Sequence, residues 1–422
     1  MRIGRRSLLR GALGAGAAAT LGRPGPARAE VAPADRLFVF VTAYFGWDPT
    51  RVFATTFDHA AVSMEADATL ASSGGLSWVS HSSRPTVDAV MARWADRILV
   101  FNGVLVSSVS HTACLYRQFT GTSRVNRPDI PSILAHHQAD RFVLPSVIVR
   151  GPSFPGPLAN VASRVGSSGQ TEALLSGELV EWGDLAVPRF SPEASAAMDR
   201  YLSEATGRRL LEALGPRDSR MLLAHSSANR TAAALEGLVD QVDWGAPGDR
   251  SLEAQVDVAR GLLALGAARC VSLLHDRRDW DSHVDNDRIQ ANNFEELFQG
   301  VEYLLDQLEA TPGPDGRPLS ERTTVVVWSE MGRAPALNIV GGKDHWPYTS
   351  VMVVSDGLTT NRVIGGWDEL YYGRSIDLGS GEVDDAGVDL RPGVVGATLL
   401  RLGGVDPGEW MTEDDPLEGA LI

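Results

Sequence analysis

Four short apolar runs limit what this chain can fold into. Leu37–Val41, Ile98–Phe101, Cys270–Leu274 and Thr324–Trp328 are each almost unbroken in apolar or β-branched residues. A strand with one wet face alternates apolar and polar residues, whereas an unbroken run is covered on both faces. Helical patterns lie between these runs. Pro85 to Trp94 has Pro in its first turn and Val87, Val90, Met91 and Trp94 on one side. Asp129 to Gln138 predicts a short helix, Ser251 to Leu265 another that stops at Gly266, and Pro392 to Leu402 a last one. Phe294, Leu297, Phe298, Val301, Leu304, Leu305 and Leu308 trace one further helical face. Val143–Val149 and Ser350–Val354 read as additional strands. This order predicts an α/β fold with a mostly parallel central sheet and helices on both faces. Gly151 to Gln170 reads as a loop, and Ser191-Pro192-Glu193 starts a helix to about Leu214, followed by another to about Val242. The region from about 151 to 245 is therefore expected to be a helical insertion in one domain spanning 30–422. Residues 355 to 392 read as irregular.

The first 29 residues read as an address. Arg5-Arg6 precedes a Gly/Ala/Leu stretch that ends in Ala27-Arg28-Ala29, the pattern of a twin-arginine signal peptide. Export by that machinery to the periplasm or outside the cell is the expected localisation. No stretch is long enough for a permanent membrane span. The net charge of −15 includes the six arginines of this leader, so the chain beyond the leader is more acidic still, which argues against a nucleic-acid partner. Two cysteines, Cys114 and Cys270, are too few and too far apart for a metal-binding Cys motif. One disulfide between them and two buried thiols both fit the sequence.

The apolar runs share a second property: they end in chemistry. The stretch Thr323 to His345 passes from a buried strand into Ser329-Glu330, then Gly332-Arg333, then Asp344-His345. Cys270 to Asp287 passes into His275, Asp276, Asp279, Asp281, His283 and Asp285. Asp281-x-His283 can offer a carboxylate and an imidazole to one ion, while Asp285 and Asp287 read as a solvated acidic loop. Asp48 follows the first run and Ser110-His111 the second. Open α/β sheets build ligand sites at the carboxyl ends of their strands. Carboxylates and imidazoles converging there are what a two-ion hydrolytic centre needs. Arg333 is suited to an anionic ester, because a guanidinium pairs two oxygens at once. His59, His81 and His225 stand isolated and His136-His137 lie at a polar helix end, so structural or surface roles are expected. Trp47, Trp280 and Trp346 each flank a motif, with core packing the default. There is no G-x-S-x-G elbow, phosphate-binding Gly loop or dinucleotide fingerprint.

The ordered motifs FGWDP (45–49), SHTA (110–113), DWDSH (279–283), SEMGR (329–333) and GGKDHW (341–346) resemble those of the exported domain-of-unknown-function family 1501, in the alkaline phosphatase and sulfatase superfamily. The resemblance runs from about Leu37 to Leu402 and implies an alkaline-phosphatase-like α/β fold. It further implies two divalent metal ions (Zn, Mn, Mg or Ca), Asp48 and Glu330 near one and Asp281, His283 and His345 near the other. Ser110 or His111 would then occupy the region of the superfamily's nucleophile. Ser108 and Thr112 compete with Ser110, which is preferred. The chain departs from the family pattern at Lys343 and Trp346, where Thr and Gly are usual, and at Thr112, where an aromatic is usual. A lysine at that point favours an anion or competes with a cation. The expected function is an exported metal-dependent hydrolase of phosphate or sulfate esters, with a small anionic ester or a polysaccharide-type substrate. The alternative is a non-catalytic exported binding or assembly protein that keeps the fold.

Overall fold

In the computed structural model the described residues are 31–165, 191–212, 215, 218–219, 221–222, 241–244, 249–411 and 413–422. Residues 1–29, His225 and most of the segment read as a second inserted helix lie outside them. One sheet of eight strands organises the rest. It contains β1 (Leu37–Ala43), β4 (Ile98–Leu105), β5 (Ser146–Ile148), β6 (Ala162–Arg164), β7 (Cys270–His275), β8 (Thr323–Trp328), β11 (Tyr348–Val354) and β12 (Arg362–Gly365). Strands β2 (Thr69–Ser73) and β3 (Leu76–Ser80) form a hairpin, and β9 (Gly332–Arg333) pairs with β10 (His345–Trp346). The order across the large sheet is β12-β4-β11-β8-β1-β7-β5-β6. Every neighbouring pair is parallel except those made by β11, which is antiparallel to both β4 and β8.

The unbroken apolar runs are explained by two cores, one on each face. Along β1, Leu37, Val39 and Val41 enter one cluster while Phe38 and Phe40 enter the other. Strand β8 divides the same way, with Val325 and Val327 on one side and Val326 and Trp328 on the other. The first cluster is covered by α1 (Pro85–Arg93), α5 (Leu252–Ala264) and α6 (Asn286–Ala310). The second is covered by α2 (His111–Thr120), α3 (Ile130–His137) and α7 (Pro392–Leu402). The remaining described helix, α4 (Pro192–Leu211), begins at Ser191, whose hydroxyl accepts from the Ala194 N–H. The predicted face of α6, from Phe294 to Leu308, is buried throughout.

Sequence patterning missed β2, β3, β6, β9, β10 and β12. Strand β2 is largely exposed and polar, so it carries no apolar signal. Residues 156–164, read as loop, hold a 3-10 turn and β6; β12 interrupts the segment read as irregular. Cys114 and Cys270 are both free and buried. No helix among the described residues is long and apolar enough to cross a membrane.

Candidate metal centre

Parallel strands share a carboxyl edge, so the segments after β1, β4, β7 and β8 emerge on one side of the sheet. Because β11 runs the other way, the residues just before it emerge there too. His345 reaches the edge by this reversal, and β10 pairs it with Arg333 across the short ladder. The loops after β7 and before β11 are tied together by a bridge between Val284 and Gly341. Asn338 adds a bond from its amide nitrogen to the His283 carbonyl at 3.0 Å. Gly342 is required at this crossing, because a Cβ there would lie 1.8 Å from the His283 carbonyl oxygen.

Three side chains converge at this edge. One ligand atom from each of His111, Asp281 and His345 lies within 4.8 Å of the other two. Asp281 Oδ1 is the hub, 3.4 Å from His111 Nε2 and 3.0 Å from His345 Nε2. His283 Nε2 joins from the solvent side, 3.1 Å from Asp281 Oδ1 and 3.1 Å from His345 Nε2.

The opposite nitrogen of each ring is held by an oxygen. His111 Nδ1 donates to Glu330 Oε1 at 2.7 Å, His283 Nδ1 to Asp344 Oδ1 at 3.0 Å, and His345 Nδ1 to the Val109 carbonyl at 2.8 Å. A carbonyl or carboxylate can only accept, so each neutral ring carries its proton on Nδ1 and aims the Nε2 lone pair inward. Lone pairs of His283 and His345 face each other across 3.1 Å, and His111 Nε2 is buried without a hydrogen-bond partner. Such a group of acceptors repels itself unless a proton or a metal cation lies among them; with a proton on Nε2, His345 donates to Asp281 Oδ1 at 3.0 Å, and a bound ion would take that proton's place. Separations of 3.0 to 3.4 Å are also what donors about 2 Å from a shared ion take up, and imidazole held by an outer oxygen is the usual form of a metal-ligating histidine.

Charge fits as well. Asp281, Glu330 and Asp344 against the single guanidinium of Arg333 leave a net negative charge matched to a divalent ion. Burial alone would raise the Asp281 carboxyl, but the hydrogen bond and charge of Arg333, then His345 and His111, bring it down to about 2. It is therefore ionised and ready to ligate.

The structure redistributes the other residues singled out from sequence. Glu330 is fully buried behind His111, not among the inward-facing atoms. Its carboxylate accepts from the backbone N–H groups of Phe45 and Gly46 as well as from His111. Those two residues have φ of 91° and 78°, which turns successive N–H groups into an anion-holding concavity. Asp48 lies outside the cluster, paired with Lys343 Nζ at 2.9 Å with both side chains fully buried. Arg333 does not face an open pocket. Its donors go to the carbonyls of Gly46, Phe45 and Lys343 and to Asp281 Oδ1, and it is 0% exposed. The sequence reading made Arg333 a substrate clamp; the structure buries the guanidinium completely and engages four of its five N–H donors with three carbonyls and Asp281.

The three hydroxyls also separate. Ser108 accepts from the Ser110 N–H and contacts the Cys114 thiol, which burial pushes up to about 11 against the pull of that contact. Ser110 is exposed at the start of α2, and its side chain makes no capping bond. Thr112 is exposed one residue beyond His111. Trp47 and Trp280 pack on Phe294 in the core, whereas Trp346 is half-buried beside Tyr371 and Tyr372. Asp287, read as part of a solvated loop, pairs with the buried Arg51 at 2.5 Å. Sequence reasoning missed Asp344 and the Val109 carbonyl as outer partners; Asp344 was visible only as the neighbour of His345.

Fold and site together define an α/β protein with a histidine-rich candidate metal centre at the carboxyl edge of its sheet. Residues 220–380 match the family described as protein of unknown function (DUF1501), a span that contains Asp281, His283, Glu330 and His345. Comparison with curated proteins finds no match. Among solved structures the chain is similar to the lipoteichoic acid synthase LtaP from Listeria monocytogenes, at 9% identity and a TM-score of 0.39, covering 92% of this chain and 77% of that one. It is similar to a protein in the alkaline phosphatase superfamily from Vibrio parahaemolyticus, at 9% identity and a TM-score of 0.37, covering 88% and 67%. A third is Ps i-CgsB in complex with k-i-k-neocarrahexaose, at 9% identity and a TM-score of 0.35, covering 90% and 75%. Likenesses this loose carry no argument about activity.

Proposed function

We propose that the chain is an exported, metal-dependent hydrolase of phosphate or sulfate esters. The observation that carries the reading is the convergence of His111 Nε2, His345 Nε2 and Asp281 Oδ1, with His283 Nε2 beside them, each ring pinned from behind by an oxygen. Nitrogen-rich donors of this kind suit Zn²⁺ or a similar borderline ion better than Mg²⁺ or Ca²⁺. A bound ion would supply Lewis-acid activation of an attacking oxygen or of the ester. The chain supplies the orientation. Glu330, Asp344 and the Val109 carbonyl fix three imidazoles, and Arg333 fixes Asp281. Ser110, next to His111 and with its hydroxyl unused by the helix cap, is the nucleophile of the proposal. Export through the leader at residues 1–29 belongs to the same reading. Elemental analysis of the purified chain, with a panel of aryl phosphates and sulfates, tests it. We expect bound transition metal and turnover, both lost in Asp281→Ala. A metal-free protein whose stability and activity are indifferent to that substitution would sink the proposal.

One observation favours a second reading, a non-catalytic binding protein. Arg333, the cation best suited to an anionic ester, is consumed internally. Metal bound with strong thermal stabilisation but no turnover on any ester would select this reading.

A further inference from the structure

The family resemblance implies that Asp48 and Glu330 lie beside a second ion, and the hydrogen bonds both already make argue against it. Glu330 is spent on two backbone N–H groups and on His111 Nδ1. Asp48 is spent more completely. Its Oδ1 accepts from Thr50 N at 3.1 Å and Thr50 Oγ1 at 2.7 Å; its Oδ2 accepts from Asn286 Nδ2 at 2.9 Å and faces Lys343 Nζ at 2.9 Å. Lys343 Nζ also donates to Thr50 Oγ1 at 2.9 Å. Asn286 is held in turn by Ser282, which lies between Asp281 and His283 in sequence. The Asp48 network therefore adjoins the metal centre yet presents it no open oxygen.

The surrounding charges reinforce this. Arg51 Nε lies 3.7 Å from Asp48 and pairs with Asp287, and Arg84 pairs with Glu65 at 2.7 Å. Asp48, Asp287 and Glu65 are balanced by Lys343, Arg51 and Arg84. A dication added to a balanced and buried group would be uncompensated, and uncompensated buried charge is strongly unfavourable. At the histidine centre the balance is negative instead, so the two places differ in what they can accept.

We propose that the chain takes one metal ion, not two, and that the Lys343 ammonium is a resident cation standing in the second place. The inference rests on the metal-dependent reading but concerns the ion count, so the two fail differently. The test strips the full chain with a chelator, loads it with excess Zn²⁺, desalts it and counts metal by elemental analysis, with calorimetric titration as a second count. One equivalent per chain is expected, and essentially none in Asp281→Ala. The paired neutral variant Asp48→Asn/Lys343→Met, checked for native circular dichroism, is expected to keep its one equivalent at unchanged affinity. Two equivalents in the wild type overturn the inference and leave the metal reading standing, whereas none in the wild type overturns both. A native-like paired variant that binds no metal makes Asp48 a ligand and also overturns it. If the paired variant does not fold, the wild-type count decides alone.

Discussion

At the scale of single residues, this protein separates side chains that touch the candidate ion from side chains that aim them. Glu330 shows the difference. A carboxylate at the end of a buried strand is chemically able to ligate, but here its oxygens meet the N–H groups of Phe45, Gly46 and His111 and the Ser329 hydroxyl. Its effect on the centre is the tautomer of His111. Glu330→Gln keeps the shape but places an amide donor either against Nδ1–H or against the backbone N–H groups. We expect the variant to fold normally and to bind Zn²⁺ about 10- to 100-fold more weakly, as outer-partner substitutions do. Competition against a chromophoric chelator measures this, and an unchanged affinity would show that Glu330 does not position His111. Phe45 carries the local cost of this arrangement. A non-glycine residue at φ 91° is strained by about 1 to 3 kcal/mol, and such strain concentrates where a site demands it.

At the scale of elements, the sheet edge is braced by α6, which packs against it. The helix buries Phe294, Leu297, Phe298, Val301, Leu304, Leu305 and Leu308 on one side. Near its start it also sends Asn286 to Asp48 and Gln290 to the backbone N–H of Asp48 and the carbonyl of Trp280. One element thus closes the core and braces two loops of the edge. Phe298 is fully buried and packs on Phe53 at a centroid distance of 6.4 Å. Phe298→Ala is expected to cost about 3 to 5 kcal/mol, the range for emptying a buried aromatic site. Urea unfolding followed by circular dichroism measures it, and a loss well under 1 kcal/mol would mean the core collapses around the gap. Strand β2 lies outside the large sheet and β12 forms only its edge beside β4, so their weak sequence signal hid them without disturbing the central strands that the apolar runs predict.

At the scale of the whole molecule, acid should be the vulnerable side. Two site carboxyls sit below their ordinary range. In Asp281 burial is outweighed by Arg333, His345 and His111, and in Asp48 by Lys343, Arg51 and Thr50. A carboxyl whose folded value is lowered contributes stability that is fully present above its unfolded value, about 3.9 for Asp, and loses it as pH falls through the folded value. For Asp281 that window runs from about 4 down to about 2, and the Asp48 contribution persists to still lower pH. Chelator-treated protein is expected to lose stability steeply across this interval in urea titrations at stepped pH. Asp281→Asn should flatten the fall. A wild-type curve that is level between pH 4 and 2 would contradict the ion-pairing described for Asp281.

The sequence by itself determined the layered α/β architecture, because unbroken apolar runs have to be covered on both faces and amphipathic helices are what cover them. It also pointed to the strand ends where charged residues gather, since the segment after each buried run leaves the sheet at its carboxyl edge, although Asp48, Glu330 and Arg333 stay buried there. It could not determine how those residues divide their roles. Whether Glu330 ligates or aims, whether Arg333 faces a substrate or a carbonyl, and whether Asp48 meets a metal or Lys343 depend on the positive-φ turn at Phe45-Gly46 and on the reversed direction of β11. Both are set by contacts between segments far apart in the chain, such as Phe45 with Glu330, 285 residues away. Residue type fixes what a side chain can do, and only the tertiary structure decides which partner reaches it first.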